Sequence, residues 1–279
     1  MPDSPVSAAS DPSAGPDLPP RFSGVSAAMV VAVGGFDPGG GAGVVRDLLT
    51  ARTLGARVRL VPTAWTAQSP RTGVRSVEPR QPAALAAALG EALDRSPPET
   101  AVKLGMMPDQ AAARAVLEAL RGFAGPVVFD PVLGASSGGA LYAGEPKELL
   151  ALAARATLVT PNAGEAQRLT GEQVADLDGA AHAGGALLAA GARAVLIKGG
   201  HLAGDQAVDL LITPEGTRAF AAPRLAGPSV RGTGCALATA IAVALGGGQS
   251  LAEAVGGAKS WLHQALQEAV PVEDEWHLS

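Results

Sequence analysis

The stretch Met29-Val30-Val31-Ala32-Val33-Gly34-Gly35-Phe36-Asp37-Pro38-Gly39-Gly40-Gly41-Ala42-Gly43-Val44 decides how the fold is read. It opens with an unbroken apolar run, the pattern of a strand covered on both faces. Six glycines then fall within the ten positions from Gly34 to Gly43, so the backbone there can take positive φ and approach a ligand closely. From Val44 the chain reads as a helix, whose first N–H groups point back at the glycine turn. Gly34, Gly39 and Gly41 hint at dinucleotide-loop spacing, but no strand-end acid follows about 20 residues on. A Walker loop would need Gly-Lys-Ser/Thr, which is absent. What remains is a strand, a glycine turn and a helix that could hold an anion.

Working outward, the same rhythm repeats. Apolar runs at Val58–Thr63, Ala101–Leu104, Val127–Asp130, Leu158–Thr160 and Ala194–Lys198 alternate with Ala/Leu-rich segments. Pro82–Leu93, Gln110–Leu120 and Asp178–Ala190 are among the latter, and all are good helix formers. Such alternation predicts an α/β fold with a largely parallel central sheet and helices on both faces. Ala207–Thr213 and Thr217–Ala221 flank Pro214-Glu215-Gly216 and read as a hairpin. Two helices, Thr233–Leu245 and Ser250–Ala269, follow it. No linker interrupts the pattern, so residues 28–279 are expected to form one domain. Residues 1–27 carry three aspartates, six prolines and no apolar stretch; that composition predicts a flexible, disordered tail and not a signal peptide.

Composition excludes some partners. The formal charge is 21 − 26 = −5, and no segment concentrates Lys and Arg, so neither nucleic acid nor an anionic membrane is an expected partner. The longest nearly continuous apolar run, Cys235 to Leu245, is short of the ~20 residues of a membrane span. A single cysteine, Cys235, rules out an intramolecular disulfide, which fits a cytoplasmic location or a fold that needs no covalent staple.

Ligands of open α/β sheets bind beyond the carboxyl ends of the strands, and three more segments there carry chemistry. Arg231-Gly232-Thr233-Gly234-Cys235 opens the apolar helix. A Gly-x-Gly turn at a helix start offers amide donors to developing phosphoryl charge and would lower a thiol pKa. The plainer reading makes Cys235 a small buried hydrophobe. Asn162 and Glu165 stand three apart after Thr160-Pro161. They read either as oxygen ligands or water-holders for phosphate-bound Mg²⁺, or as a capping box. Lys198-Gly199-Gly200-His201 ends a strand and places a cation where phosphate is expected, with His201 as a hydrogen-bonding wall residue.

In this order, these segments resemble the hydroxymethylpyrimidine/phosphomethylpyrimidine kinases of thiamin biosynthesis, within the ribokinase superfamily. The resemblance rests on Asp37-Pro38 with Gly40-Gly41-Ala42-Gly43, Ala67-Gln68, Lys103-Leu104-Gly105-Met106, Asp130-Pro131-Val132, Thr160-Pro161-Asn162 with Glu165, Lys198-Gly199-Gly200-His201, and Gly232-Thr233-Gly234-Cys235. It covers roughly Met29 to Ala269. It implies a ribokinase-like fold, ATP and Mg²⁺ as cofactors, a small heteroaromatic alcohol as substrate and a homodimer. By the same resemblance Gly35, Asp47, Gln68, Met106 and Val132 line the pyrimidine site, where an amide such as Gln68 can both donate and accept. Asn162, Glu165, Lys198 and Thr233 match the Mg·ATP region, with Glu165 nearest the metal. Gly232, Gly234 and Cys235 match the anion hole and the residue facing the substrate hydroxyl, where sugar and pyridoxal kinases carry an aspartate base.

The sequence also departs from the family. Phe36 stands where serine or threonine is usual, Leu49 and Ser136 where lysine is common, and Arg231 where histidine is usual. Gln68 is followed by Ser69-Pro70, not asparagine-threonine, and the chain ends Trp276-His277-Leu278-Ser279 without the family's Gly/His-rich ending. Two rival readings share the fold: a pyridoxal-type kinase, and a catalytically weak pyrimidine-binding homologue. The second has no use for the residues of an ATP half.

Overall fold

The computed structural model describes residues 28–69, 73–135, 138–200, 202–227, 230–272 and 275–278. The stretch read above as a tail lies outside them, as do Pro70, Ser136 and His201.

Strand β1 (Met29–Phe36) leads through the glycine turn into helix α1 (Gly43–Thr53) and on to β2 (Arg57–Ser69). β3 (Gly73–Pro79) turns back antiparallel along β2 before α2 (Pro82–Asp94). The chain then alternates through β4 (Thr100–Leu104), α3 (Gln110–Ala119), β5 (Val127–Phe129), α4 (Leu150–Arg155) and β6 (Leu158–Val159). Helices α5 (Ala163–Thr170) and α6 (Leu177–Ala189) precede β7 (Val195–Ile197) and the hairpin of β8 (Gln206–Thr213) with β9 (Gly216–Pro223). Helices α7 (Thr233–Gly246) and α8 (Leu251–Gln267) follow, then a small pair, β10 (Val270–Val272) with β11 (Glu275–His277).

Among the described residues, nine strands form one sheet in the order β3-β2-β1-β4-β5-β6-β7-β8-β9. Its five central pairings, from β2 to β7, are parallel, and both margins are antiparallel. The ribokinase-like expectation of a mostly parallel sheet therefore holds.

Strand periodicity explains why the central runs are apolar throughout. Val31, Val33, Val102, Leu104, Val127 and Phe129 point to one face and pack with Leu85, Leu89 and Val116. Their neighbours Val30, Ala101, Val128 and Leu158 point to the other and pack with Leu237, Ile241 and Trp261. Alternate side chains leave opposite faces of a strand, so a sheet covered twice needs both sets apolar. The run Cys235–Leu245 has its explanation here: α7 is apolar all round because Ala236 to Ala244 are buried. No described helix is long and apolar enough to cross a membrane.

Chain order reverses at β1. The first connection goes to β2 on one side, and the next parallel strand, β4, pairs on the other. A crevice opens beyond the strand ends at such a reversal.

Candidate active site

A cavity of about 980 Å³ occupies that crevice. It is lined from the end of β1 by Gly34, Gly35 and Asp37, from β4 by Lys103 and Met106, and from β5 by Asp130 and Val132. Asn162, Glu165 and Lys198 reach it from the ends of β6 and β7, and Gly232 to Cys235 from the start of α7.

The two glycine turns touch. Gly232 sits at φ +73°, and a Cβ there would stand 2.2 Å from the Gly41 carbonyl oxygen, so this contact requires glycine twice over. Beside it, Arg231 Nη2 lies 3.2 Å from Asp37 Oδ2 and ties the start of α7 to the first loop. The Asp37 carboxylate also accepts from the N–H groups of Gly39 and Ala42, each at 3.1 Å, which fixes the loop's shape. Residues almost two hundred positions apart thus form one wall, and Cys235 stands in it with the Gly43 N–H directed at its sulfur.

Below this wall is a buried ion pair. Lys103 Nζ is 2.9 Å from both Asp47 carboxylate oxygens, and Oδ1 also accepts from Thr239 Oγ1 at 2.8 Å. Burial works against the lysine charge, but Asp47, then Cys235 and Asp130, outweigh it and hold the ammonium above its ordinary value. Asp47 is wholly buried and does not line the cavity. Its expected place in the pyrimidine wall is corrected: it anchors Lys103, because α7 packs over α1 and shuts it from solvent. The expected lowering of the Cys235 thiol is also reversed. Burial pushes it up, Lys103 opposes this, and Asp47 and Asp130 add to the rise.

Next to the start of α7, Lys198 Nζ is 2.6 Å from Asp130 Oδ1 and 3.9 Å from Glu165 Oε2. Burial disfavours this ammonium, yet Asp130 and Glu165 together keep its pKa raised. Asn162 and Glu165 form the capping box of α5. Glu165 N–H donates to Asn162 Oδ1 at 2.9 Å, and Asn162 N–H donates to Glu165 Oε2 at 2.7 Å. Both residues also line the cavity, so the residues that cap α5 border it as well. A Cβ on Gly234 would lie 3.1 Å from Lys198 Nζ, which packs the helix start against this cation.

Burial, with the Asp130 charge nearby, raises the Glu165 pKa to about 7 against the pull of Lys198. The native state then keeps a proton that the unfolded chain has lost between about pH 4.5 and 7, so stability from this group falls as pH rises through that window and levels off above it. Glu165→Gln keeps an acceptor for the cap and has no such slope. In thermal unfolding without nucleotide, its stability relative to the unaltered chain should grow in its favour by on the order of 2 kcal/mol between pH 5 and pH 8. A difference that stays flat with pH would contradict this.

Gly35, Gln68, Met106 and Val132 line the same cavity as Cys235. A Cβ on Gly35 would meet Met106 Sδ at 2.6 Å, so glycine keeps this floor open. Gln68 Nε2 donates to Thr66 Oγ1 at 3.2 Å, and Thr66 donates on to the Phe36 carbonyl at 3.1 Å. Phe36 itself stacks obliquely on Trp65, with centroids 6.2 Å apart. Thr233 lines the cavity between the two glycines of the helix start. Sequence reading gave no role to Lys103, Asp130 or the Asp37–Arg231 link. The usable signal was a charged residue inside or at the end of an otherwise apolar strand.

A family model described as phosphomethylpyrimidine kinase matches residues 37–278. The hydroxymethylpyrimidine/phosphomethylpyrimidine kinase of Rhizobium meliloti is 40% identical over 248 residues, 87% of this chain and 91% of its own length. Its counterpart from Streptomyces coelicolor is 40% identical over 250 residues, 89% and 92% of the two chains. Among solved structures, phosphomethylpyrimidine kinase from Clostridium difficile aligns with a TM-score of 0.72 at 32% identity, covering 86% of this chain and 99% of that one. Pyridoxal kinase from Staphylococcus aureus with ADP aligns with a TM-score of 0.80 at 27% identity, covering 91% and 92%.

Proposed function

The chain belongs to the phosphomethylpyrimidine kinase family, and from that premise we propose how its cavity moves the γ-phosphoryl group of ATP to 4-amino-5-hydroxymethyl-2-methylpyrimidine and to the resulting monophosphate. It is a kinase of thiamin biosynthesis. The observation that carries the assignment of parts is the meeting of the two glycine turns, which sets Cys235 beside the loop bearing Asp37.

In this reading the pyrimidine lies against Gly35, Met106 and Val132. Gln68, steadied by Thr66, offers its remaining donor and its carbonyl to the ring nitrogen and exocyclic amine. The substrate hydroxyl faces Cys235, and the amides of Gly232, Thr233 and Gly234 face the transferring phosphoryl group. Lys198 sits beside that group, already oriented by Asp130. Positioning and electrostatic stabilisation supply most of the rate in such transfers. The apolar far end of the cavity, with Leu262, Leu266 and Trp276, suits an adenine ring.

Mg²⁺ carried with the nucleotide fits this donor set. Among the described residues no three His, Cys, Asp or Glu side chains form a cage for a metal, so Asn162 and Glu165, which present oxygens to the cavity, would be the residues to hold a nucleotide-borne ion through water. The ion supplies neutralisation of phosphate charge when bound. A cytoplasmic homodimer goes with the same reading.

The test is ADP release from Mg·ATP with hydroxymethylpyrimidine, its monophosphate and pyridoxal in parallel. Turnover of both pyrimidines above pyridoxal is expected. The close match to pyridoxal kinase structures favours the one rival worth scoring, and turnover on pyridoxal alone would establish it. Tight pyrimidine binding without ADP release would support a binding protein.

A further inference from the structure

We propose that Arg231 determines specificity for the phosphorylated acceptor, holding the monophosphate of the pyrimidine alcohol at the seam between the two glycine turns; the inference rests on the kinase reading above. Three of the cations that line the cavity, Lys103, Lys198 and Arg231, are placed differently. Lys103 is wholly buried beneath the wall and locked to Asp47 and so serves the protein's own carboxylate. Lys198 stands on the side of Asn162 and Glu165, bonded to Asp130, where the nucleotide phosphates are expected. Arg231 is on the acceptor side. Its guanidinium reaches the first glycine loop at Asp37, one turn of loop away from Gly35 and the pyrimidine end, and it lines the cavity.

An alcohol acceptor brings a neutral hydroxyl to this seam, whereas a monophosphate acceptor brings a dianion. A guanidinium is a planar fork that can bridge two anionic groups at once, and its bonds to phosphate are about twice as strong as neutral ones. Asp37 needs no change of place to share it. With Asp37 Oδ1 and Oδ2 already bonded to the Gly39 and Ala42 amides, the carboxylate stays fixed and holds the arginine pointed into the cavity. The arginine is therefore oriented before the acceptor arrives.

The step balances simply. One oxygen of the acceptor phosphate attacks the γ-phosphorus, a new P–O bond forms, and the bond to the bridging oxygen breaks with its electron pair retained by ADP. An ionised phosphate has no proton to give up, so this second transfer needs an electrostatic partner for the acceptor more than it needs a base. Arg231 is that partner.

The experiment compares kcat/KM for the monophosphate and for the alcohol in Arg231→Gln, Arg231→Lys and the unaltered enzyme. The ratio of monophosphate to alcohol should fall about 10- to 100-fold in Arg231→Gln, the range of a charge-assisted bond, with the change mainly in KM. Arg231→Lys should recover part of it. Binding of the monophosphate without nucleotide, followed calorimetrically, should weaken in the same order, and thermal unfolding identifies any variant that has lost its fold. A ratio unchanged in Arg231→Gln would overturn the inference, as would an unaltered enzyme that turns over the alcohol but not the monophosphate. No turnover of either acceptor by the unaltered enzyme is a different failure, that of the kinase reading itself.

Discussion

Cys235→Ala should lower kcat for hydroxymethylpyrimidine about a thousandfold, within the range attributed to general base catalysis, while the pyrimidine Kd changes little. The reason lies in position and in charge. Cys235 stands at the start of α7, between the helix amides and the first glycine loop, and the residues proposed to hold the ring come from other segments. Burial raises its pKa, so in the empty site it is a thiol at neutral pH, and Lys103 is the group that favours ionisation. Proton removal from the alcohol should then become easier as pH rises and the thiolate fraction grows. The first transfer should accelerate on the alkaline side, and the second, from an already ionised phosphate, should lack that limb. Steady-state rates against pH with the two acceptors check this. Unchanged turnover in Cys235→Ala would remove the thiol from the mechanism.

Lys103→Met should destabilise the chain by about 3–5 kcal/mol, the range found when one partner of a buried ion pair is removed. Asp47 would keep only the Thr239 hydroxyl, at 2.8 Å, in a place closed to water. Because the cost is that of an uncompensated carboxylate, removing it too should restore stability: Lys103→Met with Asp47→Leu should regain most of the loss, since apolar replacements for buried pairs are often neutral. Denaturant unfolding of the single and double variants measures both numbers. A single variant within about 1 kcal/mol of the parent, the scale of an exposed pair, would show the pair to be solvated after all. The same lysine helps set the thiol, so the single variant should also shift the alkaline limb with the alcohol to higher pH.

The sequence disclosed the central strands because burial on both faces forces Val, Ala and Leu into unbroken runs; every observed core strand except β2, which runs on to Ser69, lies within two residues of its expected limits. It did not disclose the outer half of β2 or its partner β3. There Trp65, Thr66 and Gln68 leave the core to border the cavity, and mixed polarity hides the strand. Asn162 and Glu165 were legible as a pair with two meanings, and the fold uses the capping one while leaving both at the cavity. The contact of Gly41 with Gly232, and the bond of Asp37 to Arg231, depend on how α7 is laid against α1, which no local pattern encodes. Asp47 failed for the same reason. A carboxylate one turn into α1 reads as facing a ligand until α7 covers it.

A crystal structure with hydroxymethylpyrimidine and a non-hydrolysable ATP analogue is the decisive measurement. The hydroxymethyl oxygen should lie within about 3.5 Å of Cys235 Sγ, with the terminal phosphate over the amides of Gly232 to Gly234, a separation from which in-line attack can start. A pyrimidine found outside the space between the two glycine turns, or a thiol screened from it by packed hydrocarbon, would contradict the account.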